Sequence, residues 1–425
     1  MAARLQSGAR ARVDPGVPVR ILASALPKTT ELLAAGLAGA RSPNPAWSDL
    51  EWRIARAVAV IHGVSPLLSQ HLDWTGPPGW REFLQEQRTH TAIRYGRIKA
   101  LLAQIDTLAG QADIAFIPLK GEALQAIGVY TAGDRPMADI DLLVRLRDLL
   151  PLSRTIAGLG YRPLWVTSDE HTLVPVDRPP PSHLGEHADN GITIELHTRI
   201  ARPLPIRNVD ITEQLWPPAP RPGRNDYRSP SALMGHLLMH ATVNMQMRLL
   251  RMVQLHDIAL LAPRLSTDDW IELLAPGEGR AVAWWAMPPL QLTGHYYPQA
   301  IPAIAISTAA SGCTALLRHL AHRLRLSDVS ASNLRRSIFP ALSWAGSVPD
   351  AARWVGQRLR SGIRALRGGS VRAAIELQPW LTASHRHRLL EVLLGRPRPE
   401  TLLVVNAALE DTHGPVPDQT QPRAA

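Results

Sequence analysis

The spacing of apolar and polar residues divides the chain into a helical first part, a middle part of short strands and a longer helical last part. From about residue 23 to 110, apolar residues recur at intervals of three and four, as on one face of a helix. From Ile114 the apolar runs shorten to strand length and are separated by glycine, proline and asparagine. This alternation of strands and helices predicts a small α/β or α+β domain between two helical regions.

These changes in pattern set the expected domain boundaries. In chain order, the predicted segments are a disordered N-terminus at 1–22, a helical region at 23–110, a strand-containing core at 111–215, a Pro-rich linker at 216–230, a second helical region at 231–400 and a mostly disordered tail at 401–425. Asp49 precedes the apolar positions of the second helix and is predicted to cap it.

The composition is that of a large globular protein. With 425 residues, 45% of them hydrophobic, the chain can bury a sizeable core. No apolar run approaches the ~20 residues needed to cross a bilayer, and the N-terminus lacks the apolar segment of a secretory signal. The single cysteine, Cys313, excludes an internal disulfide framework and a zinc site built on cysteines. We therefore expect a cytoplasmic protein.

The net charge of +10 comes almost wholly from arginine, since the only lysines are Lys28, Lys99 and Lys120. A GC-rich gene explains this bias without reference to function. Attraction to nucleotides, nucleic acid or anionic lipid is the functional alternative. The stretch 334–372 combines many arginines with a single acidic residue, so it is the candidate surface for an anionic partner, although a solvated helix face explains it as well.

The tripeptide Asp139-Ile140-Asp141 carries the most specific chemistry. It begins an apolar run of strand character, and residues i and i+2 of a strand point to the same face. Two like charges on one face repel each other unless a cation lies between them. Because Mg²⁺ typically binds one or two carboxylates together with phosphate oxygens and water, the pair indicates a metal-and-phosphate site.

Two further features accompany this pair. Lys120-Gly121 stands between a predicted strand and a predicted helix, where a glycine allows backbone N–H groups to approach a phosphate. Glu195 is a lone acid in the apolar strand ITIELH, and an inward-facing carboxylate is costly unless it is paired or binds a metal. Each also has a simpler interpretation, as an ordinary turn and as a solvent-facing strand residue.

In this order, the sequences FIPLKGEAL, ADIDLLV and ITIELH, with Tyr130 and Arg135 between the first two, resemble the uncharacterised nucleotidyltransferase family of the DNA polymerase beta-type superfamily. The resemblance covers 114–199. It implies an α+β fold with a small mixed sheet, flanked by the helical regions. The glycine–glycine or glycine–serine turn of the superfamily is Lys120-Gly121 here.

The resemblance also implies roles for individual residues. Asp139, Asp141 and Glu195 match the three metal-binding, catalytic carboxylates, with Glu195 able to act as a base toward the acceptor. Lys120 and Gly121 match the turn that holds the nucleotide phosphates. The implied cofactor is Mg²⁺, and the implied substrate is ATP or another nucleoside triphosphate.

Three basic residues near this core have less definite roles. Arg135 is either a triphosphate contact or the salt-bridge partner of a nearby acid. His197 follows Glu195 on the same predicted strand and is a candidate second-shell residue. His240 is another. It lies four residues after His236, a spacing that pairs of zinc ligands also show. Helix packing or the lining of a substrate cleft explains these two histidines better.

The leading hypothesis is an enzyme that transfers a nucleoside monophosphate to an acceptor hydroxyl or phosphate and releases pyrophosphate. A catalytically silent nucleotide- or partner-binding module on the same fold is the first alternative. A nucleic-acid or membrane-surface binder that uses the basic stretch 334–372 is the second. The acceptor, whether small molecule, peptide, protein or RNA, and the base of the nucleotide are not encoded in these motifs.

Overall fold

The computed structural model describes residues 16–334 except 178, 180, 183, 205, 206 and 277–280, a few separate positions between 344 and 356, and residues 398–411. The predicted basic stretch at 334–372 therefore lies almost entirely outside the described residues. None of the helices within them is both long enough and apolar enough to span a membrane.

Helices precede and follow the sheet in the chain, as the apolar spacing predicts. The described helices are α1 (Val19–Leu37), α2 (Asp49–His62), α3 (Ser65–His71), α4 (Pro78–Gln111), α5 (Gly121–Ala126), α6 (Leu149–Ala157), α7 (Thr212–Leu215), α8 (Pro230–Met247), α9 (Met252–Leu261), α10 (Thr267–Leu274), α11 (Met287–Tyr296), α12 (Ala303–Ser311), α13 (Ala315–Arg323), α14 (Leu326–Val329) and α15 (Pro399–Glu410).

The strands form one mixed sheet and a separate hairpin. They are β1 (Ala115–Pro118), β2 (Asp139–Val144), β3 (Tyr161–Val166), β4 (Glu170–Pro175), β5 (Thr193–His197), β6 (Ala201–Leu204), β7 (Arg207–Asp210) and β8 (Gly223–Arg224). Among the described residues the sheet has six strands in the order β3-β4-β5-β2-β1-β8, and β6 pairs with β7. The central strand β2 is antiparallel to β1 and parallel to β5. The α+β fold with a mixed sheet and flanking helices is thus confirmed.

The alternation of side chains along β2 gives the two faces of the sheet different neighbours. Ile140, Leu142 and Val144 belong to an apolar cluster that α4 and α6 complete on one face. Leu143, on the opposite face, belongs to a second and larger cluster, to which α1, α8, α9 and α11 contribute. Since Asp139 and Asp141 share the face of Leu143, they are directed toward the second group of helices.

The larger cluster joins the two helical regions that the sequence places on either side of the core. Leu26 of α1, Leu238 of α8 and Leu290 of α11 are all fully buried in it. Helices from both ends of the chain therefore share one apolar core, which fixes α8 and α9 over the sheet.

The structure differs from the sequence-based expectations in four places. Helix α1 begins at Val19, inside the predicted disordered N-terminus. Part of the predicted linker, Gly223–Arg224, is the edge strand β8, which pairs with β1. The N–H of Gly223 donates to the carbonyl of Ile114, and the N–H of Asn225 donates to the carbonyl of Phe116. The first part of the predicted disordered tail, to Glu410, belongs to α15, which packs on α2. The second helix is capped by Ser48, whose Oγ accepts from the Glu51 N–H while Glu51 accepts from the Ser48 N–H. Asp49 is its first helical residue.

Candidate active site

A cleft of about 390 Å³ lies between the aspartate-bearing face of the sheet and helices α8 and α9. Acidic residues outnumber basic ones in its lining. The acids are Glu122, Asp139, Asp141, Glu170, Glu186 and Glu195, and the bases other than histidine are Lys120, Arg135, Arg202 and Arg251. The cleft thus contains every residue predicted for metal or nucleotide binding, and both candidate second-shell histidines.

The three predicted metal carboxylates meet through the pairing of two strands. β2 and β5 are parallel neighbours, and the register places Asp141 directly opposite Glu195. Asp139 precedes Asp141 by two residues and therefore lies on the same face. The sequence predicts which face of each strand carries the carboxylates, while the strand pairing brings Asp141 and Glu195 together. Asp139 lines the same cleft but, among the described residues, does not belong to their group of close ligand atoms.

Both carboxylate oxygens of Asp141 have cationic neighbours. Lys120 Nζ lies 2.8 Å from Oδ2, and His197 Nε2 lies 3.0 Å from Oδ1. Burial alone would raise the pKa of Asp141, but the charge of Lys120 and the hydrogen bond from His197 hold it well below its usual range. For Asp139, by contrast, burial and the nearby charge of Asp141 raise the pKa to about 6.

His197 is bound more closely into this group than its predicted second-shell role implies. Its Nε2 also lies 3.6 Å from Glu195 Oε2. Burial opposes its protonation, but hydrogen bonds to Asp141 and Glu195 raise the pKa of His197 to about 9. Asp141, Glu195 and His197 offer ligand atoms that all lie within 4.8 Å of one another. Carboxylate oxygens with an adjacent imidazole nitrogen are a suitable donor set for a divalent cation.

The predicted phosphate turn forms the end wall of the cleft. Lys120 has a left-handed φ of 51°, and its N–H donates to Tyr227 Oη over 3.2 Å. Gly121 is required for space, because a Cβ there would come within 2.7 Å of Met137 Sδ and would collide with the guanidinium of Arg135. Since the Lys120 N–H is engaged, a ligand would meet the side chain of this lysine, whose Nζ lies 2.8 Å from Asp141 Oδ2.

Of the two roles predicted for Arg135, triphosphate contact and salt-bridge partner, the structure shows the salt bridge. Its Nε and Nη2 each donate to one carboxylate oxygen of Asp257 over 2.8 Å, and Tyr130 Oη donates to the same carboxylate over 2.7 Å. The Asp257 side chain is only 2% exposed. The arginine therefore buttresses the turn at Gly121 and is not free to act as the main phosphate contact.

The histidines of α8 have separate partners. Tyr227 Oη, which accepts from the Lys120 N–H, lies 2.7 Å from His236 Nδ1 and forms a hydrogen bond with it. His240 Nδ1 lies 3.0 Å from Gln254 Nε2, and its Nε2 lies 3.1 Å from the side-chain amide of Asn244. Among the described residues, neither histidine belongs to a group able to hold a metal, which argues against the zinc interpretation.

Arg251 is a cleft residue that the motifs do not indicate. It directly precedes α9, and its guanidinium packs against Gly63, whose φ of 64° and missing Cβ leave room for it. Within the described part of the chain, no carboxylate forms a salt bridge with Arg251. Only the fold brings this arginine opposite the carboxylates, so the sequence gives no local signal for it.

Glu122 is a second residue that the motifs do not reveal. It is 5% exposed, and its Oε1 has no hydrogen-bond partner among the described residues. Burial and the negative charge of Asp141 raise the pKa of Glu122 well above its ordinary value. The folded protein therefore favours the protonated side chain.

Because the folded protein favours protonated Glu122, Glu122→Gln is expected to raise the free energy of unfolding by an amount that depends on pH. Below the unfolded pKa both states carry a neutral carboxyl group, so the substitution has little effect on the free energy of unfolding. As pH rises through and above that value, the wild type loses stability because only its unfolded state ionises freely. Urea unfolding should show Glu122→Gln more stable than wild type at pH 8 and similar to it at pH 4, whereas the exposed Glu82→Gln should show no such change. Equal stability differences at both pH values would contradict this assignment.

Comparison with known proteins identifies the same unit. The family model described as an uncharacterised nucleotidyltransferase matches residues 48–284, more than half of the chain. The match begins at the N-cap of α2 and ends beyond α10, so it includes helices on both sides of the sheet. Neither the curated proteins nor the solved structures include a match to this chain. The chain belongs to the uncharacterised nucleotidyltransferase family.

Proposed function

We propose that the protein transfers a nucleoside monophosphate from ATP or another nucleoside triphosphate to an acceptor hydroxyl or phosphate, with release of pyrophosphate. The observation that carries this proposal is the convergence of Asp139, Asp141, Glu195 and His197 in one cleft, which Lys120 and Arg251 also line. Membership of the nucleotidyltransferase family supports the reaction class.

Asp139, Asp141 and Glu195 would hold divalent cations, with Mg²⁺ as the cofactor that the family resemblance implies. When bound, the cation neutralises phosphate charge and stabilises the attacking and leaving oxygens of an in-line displacement. The acceptor oxygen forms a bond to the α-phosphorus, and the bond from that phosphorus to the oxygen bridging to the β-phosphate breaks. We assign acceptance of the proton of an acceptor hydroxyl to Glu195.

Two cations are assigned to the triphosphate. Arg251 forms no salt bridge among the described residues, although Asp139, Glu186 and Asp257 attract it at longer range. Its planar fork is therefore assigned to phosphate oxygens. Lys120 Nζ lies 2.8 Å from Asp141 and lines the same cleft, so its charge would favour a phosphate bound there. The buried ion pair of Arg135 with Asp257 leaves those two residues to position the turn.

Calorimetry with ATP, GTP, CTP and UTP, with and without Mg²⁺, tests the nucleotide site. We expect Mg²⁺-dependent binding of at least one nucleotide, weakened roughly tenfold or more by Arg251→Ala, the loss of one charge-assisted contact. Arg221→Ala, an exposed arginine outside the cleft, should bind like wild type. Binding without pyrophosphate release in any acceptor pool would support the silent-module alternative. Absence of binding would overturn the proposal.

A further inference from the structure

The identity of the metal ligands can be taken further than the three carboxylates, given the proposed function. His197 follows Glu195 by two residues on β5 and therefore shares its face of the sheet. The neighbouring strand β2 places Asp141 opposite Glu195 and Leu143 opposite His197. The imidazole ring is thus adjacent to two of the predicted metal carboxylates.

The nitrogen and oxygen positions match the corners of a coordination shell. Lys120 Nζ forms its ion pair with Asp141 Oδ2. The other oxygen of Asp141, Oδ1, faces His197 Nε2 at 3.0 Å. Glu195 Oε2 lies 3.6 Å from the same nitrogen. Adjacent ligands of an octahedral ion at about 2.1 Å are separated by about 3.0 Å, and opposite ligands by about 4.2 Å. The separation from Asp141 Oδ1 is that of adjacent ligands, whereas Glu195 Oε2 lies between the two values, so the Glu195 carboxylate would have to move by about 0.6 Å to become an adjacent ligand.

The second ring nitrogen supports the same orientation. His197 Nδ1 is directed toward Glu170 Oε1, 4.0 Å away, because Glu170 is the cross-strand partner of His197 on β4. Metal-bound histidines commonly donate their other N–H to a carboxylate, which fixes the tautomer and the ring orientation. His240 lacks this arrangement, since both of its nitrogens face side-chain amides.

We propose that His197 Nε2 is a direct ligand of the catalytic cation, together with Asp141 Oδ1 and Glu195 Oε2, and that binding of the cation displaces the proton between His197 and Asp141. The site is then a mixed nitrogen–oxygen site, which Mn²⁺ occupies in preference to Mg²⁺. Mg²⁺ prefers oxygen ligands and retains water, whereas first-row transition metals gain from an imidazole nitrogen. Asp139 remains available to the nucleotide-bound cation.

Pulsed electron paramagnetic resonance of Mn²⁺ bound to the wild-type chain tests this assignment directly. We expect a ¹⁴N modulation from a coordinated imidazole, which is lost in His197→Ala and retained in His240→Ala, the matched histidine in the same cleft. Competition between Mn²⁺ and Mg²⁺ should show a preference for Mn²⁺ that falls roughly tenfold or more in His197→Ala.

The outcomes separate this inference from the proposed function. In one outcome, Mn²⁺ binds the wild type and fails to bind Asp141→Asn, yet shows no ¹⁴N coupling. That result would overturn the direct ligation by His197 and leave the nucleotidyltransferase proposal standing. Mn²⁺ that does not bind at the carboxylates, with or without ATP, would overturn both. The wild-type spectrum decides the question even if His197→Ala fails to fold.

Discussion

Replacing Asp139 and Asp141 together by asparagine is expected to abolish metal-dependent turnover. Asparagine keeps the shape of each side chain but removes both negative charges, so the cleft loses its main attraction for a divalent cation. The cation is expected to contribute several kcal/mol to the stabilisation of the transition state. Since each 1.36 kcal/mol corresponds to a tenfold change in rate, the loss should reach roughly 10³-fold or more. Pyrophosphate release by the wild type and by the variant, each measured with and without Mg²⁺, gives this fold-change in rate.

The matched control is the double variant Asp73→Asn with Asp268→Asn. It removes the same charge from two exposed positions outside the cleft, so it should retain wild-type turnover. Thermal melts should accompany both variants, because the buried Asp141 also pairs with Lys120. A folded Asp139→Asn, Asp141→Asn protein that turns over like the wild type would refute the assignment of these two residues.

The second large effect concerns stability. Asp257→Ala is expected to lower the free energy of unfolding by about 3–5 kcal/mol, because it leaves the guanidinium of Arg135 without its bidentate partner in a buried position. It also removes the acceptor for Tyr130 Oη, 2.7 Å away. Chemical denaturation followed by circular dichroism measures the difference from the change in midpoint at constant slope.

An exposed ion pair provides the comparison for this variant. Glu213 pairs with Arg145 over 2.5 Å, but its side chain is 73% exposed. Glu213→Ala should therefore cost only about 0–1 kcal/mol. If Asp257→Ala proves as mild as Glu213→Ala, Arg135 does not depend on this partner and its role in supporting the turn is wrong. Combining Asp257→Leu with Arg135→Leu should recover part of the loss, since no buried charge then remains unpaired.

Local sequence patterns account for the elements of this site. The alternation in ADIDLLV is sufficient to place Asp139 and Asp141 on one face of a strand, and the glycine after Lys120 indicates a tight approach. These features depend on neighbours within a few residues, which is the range that sequence periodicity reports. The mixed sheet was implied by the family resemblance and not by periodicity, and the structure confirms it.

Long-range contacts account for what the sequence did not reveal. Tyr227 and Asp257 lie 107 and 122 residues from their partners Lys120 and Arg135, so no local spacing links them. The short strand β8 was predicted as linker, because a Gly-Arg pair in a Pro-rich segment becomes a strand only through pairing with β1. The direct opposition of Asp141 and Glu195 likewise depends on the register of two distant strands.

The most direct test of the central claim is to follow separately the α- and γ-phosphorus of a labelled nucleoside triphosphate. The protein is incubated with Mg²⁺ or Mn²⁺ and with pools of small molecules, peptides and RNA as acceptors. The account predicts that the α label enters an acceptor while the γ label leaves as pyrophosphate in equal amount, and that neither occurs with Asp139→Asn, Asp141→Asn. Transfer of the γ label to an acceptor, or bound nucleotide that releases no pyrophosphate in any pool, would contradict it.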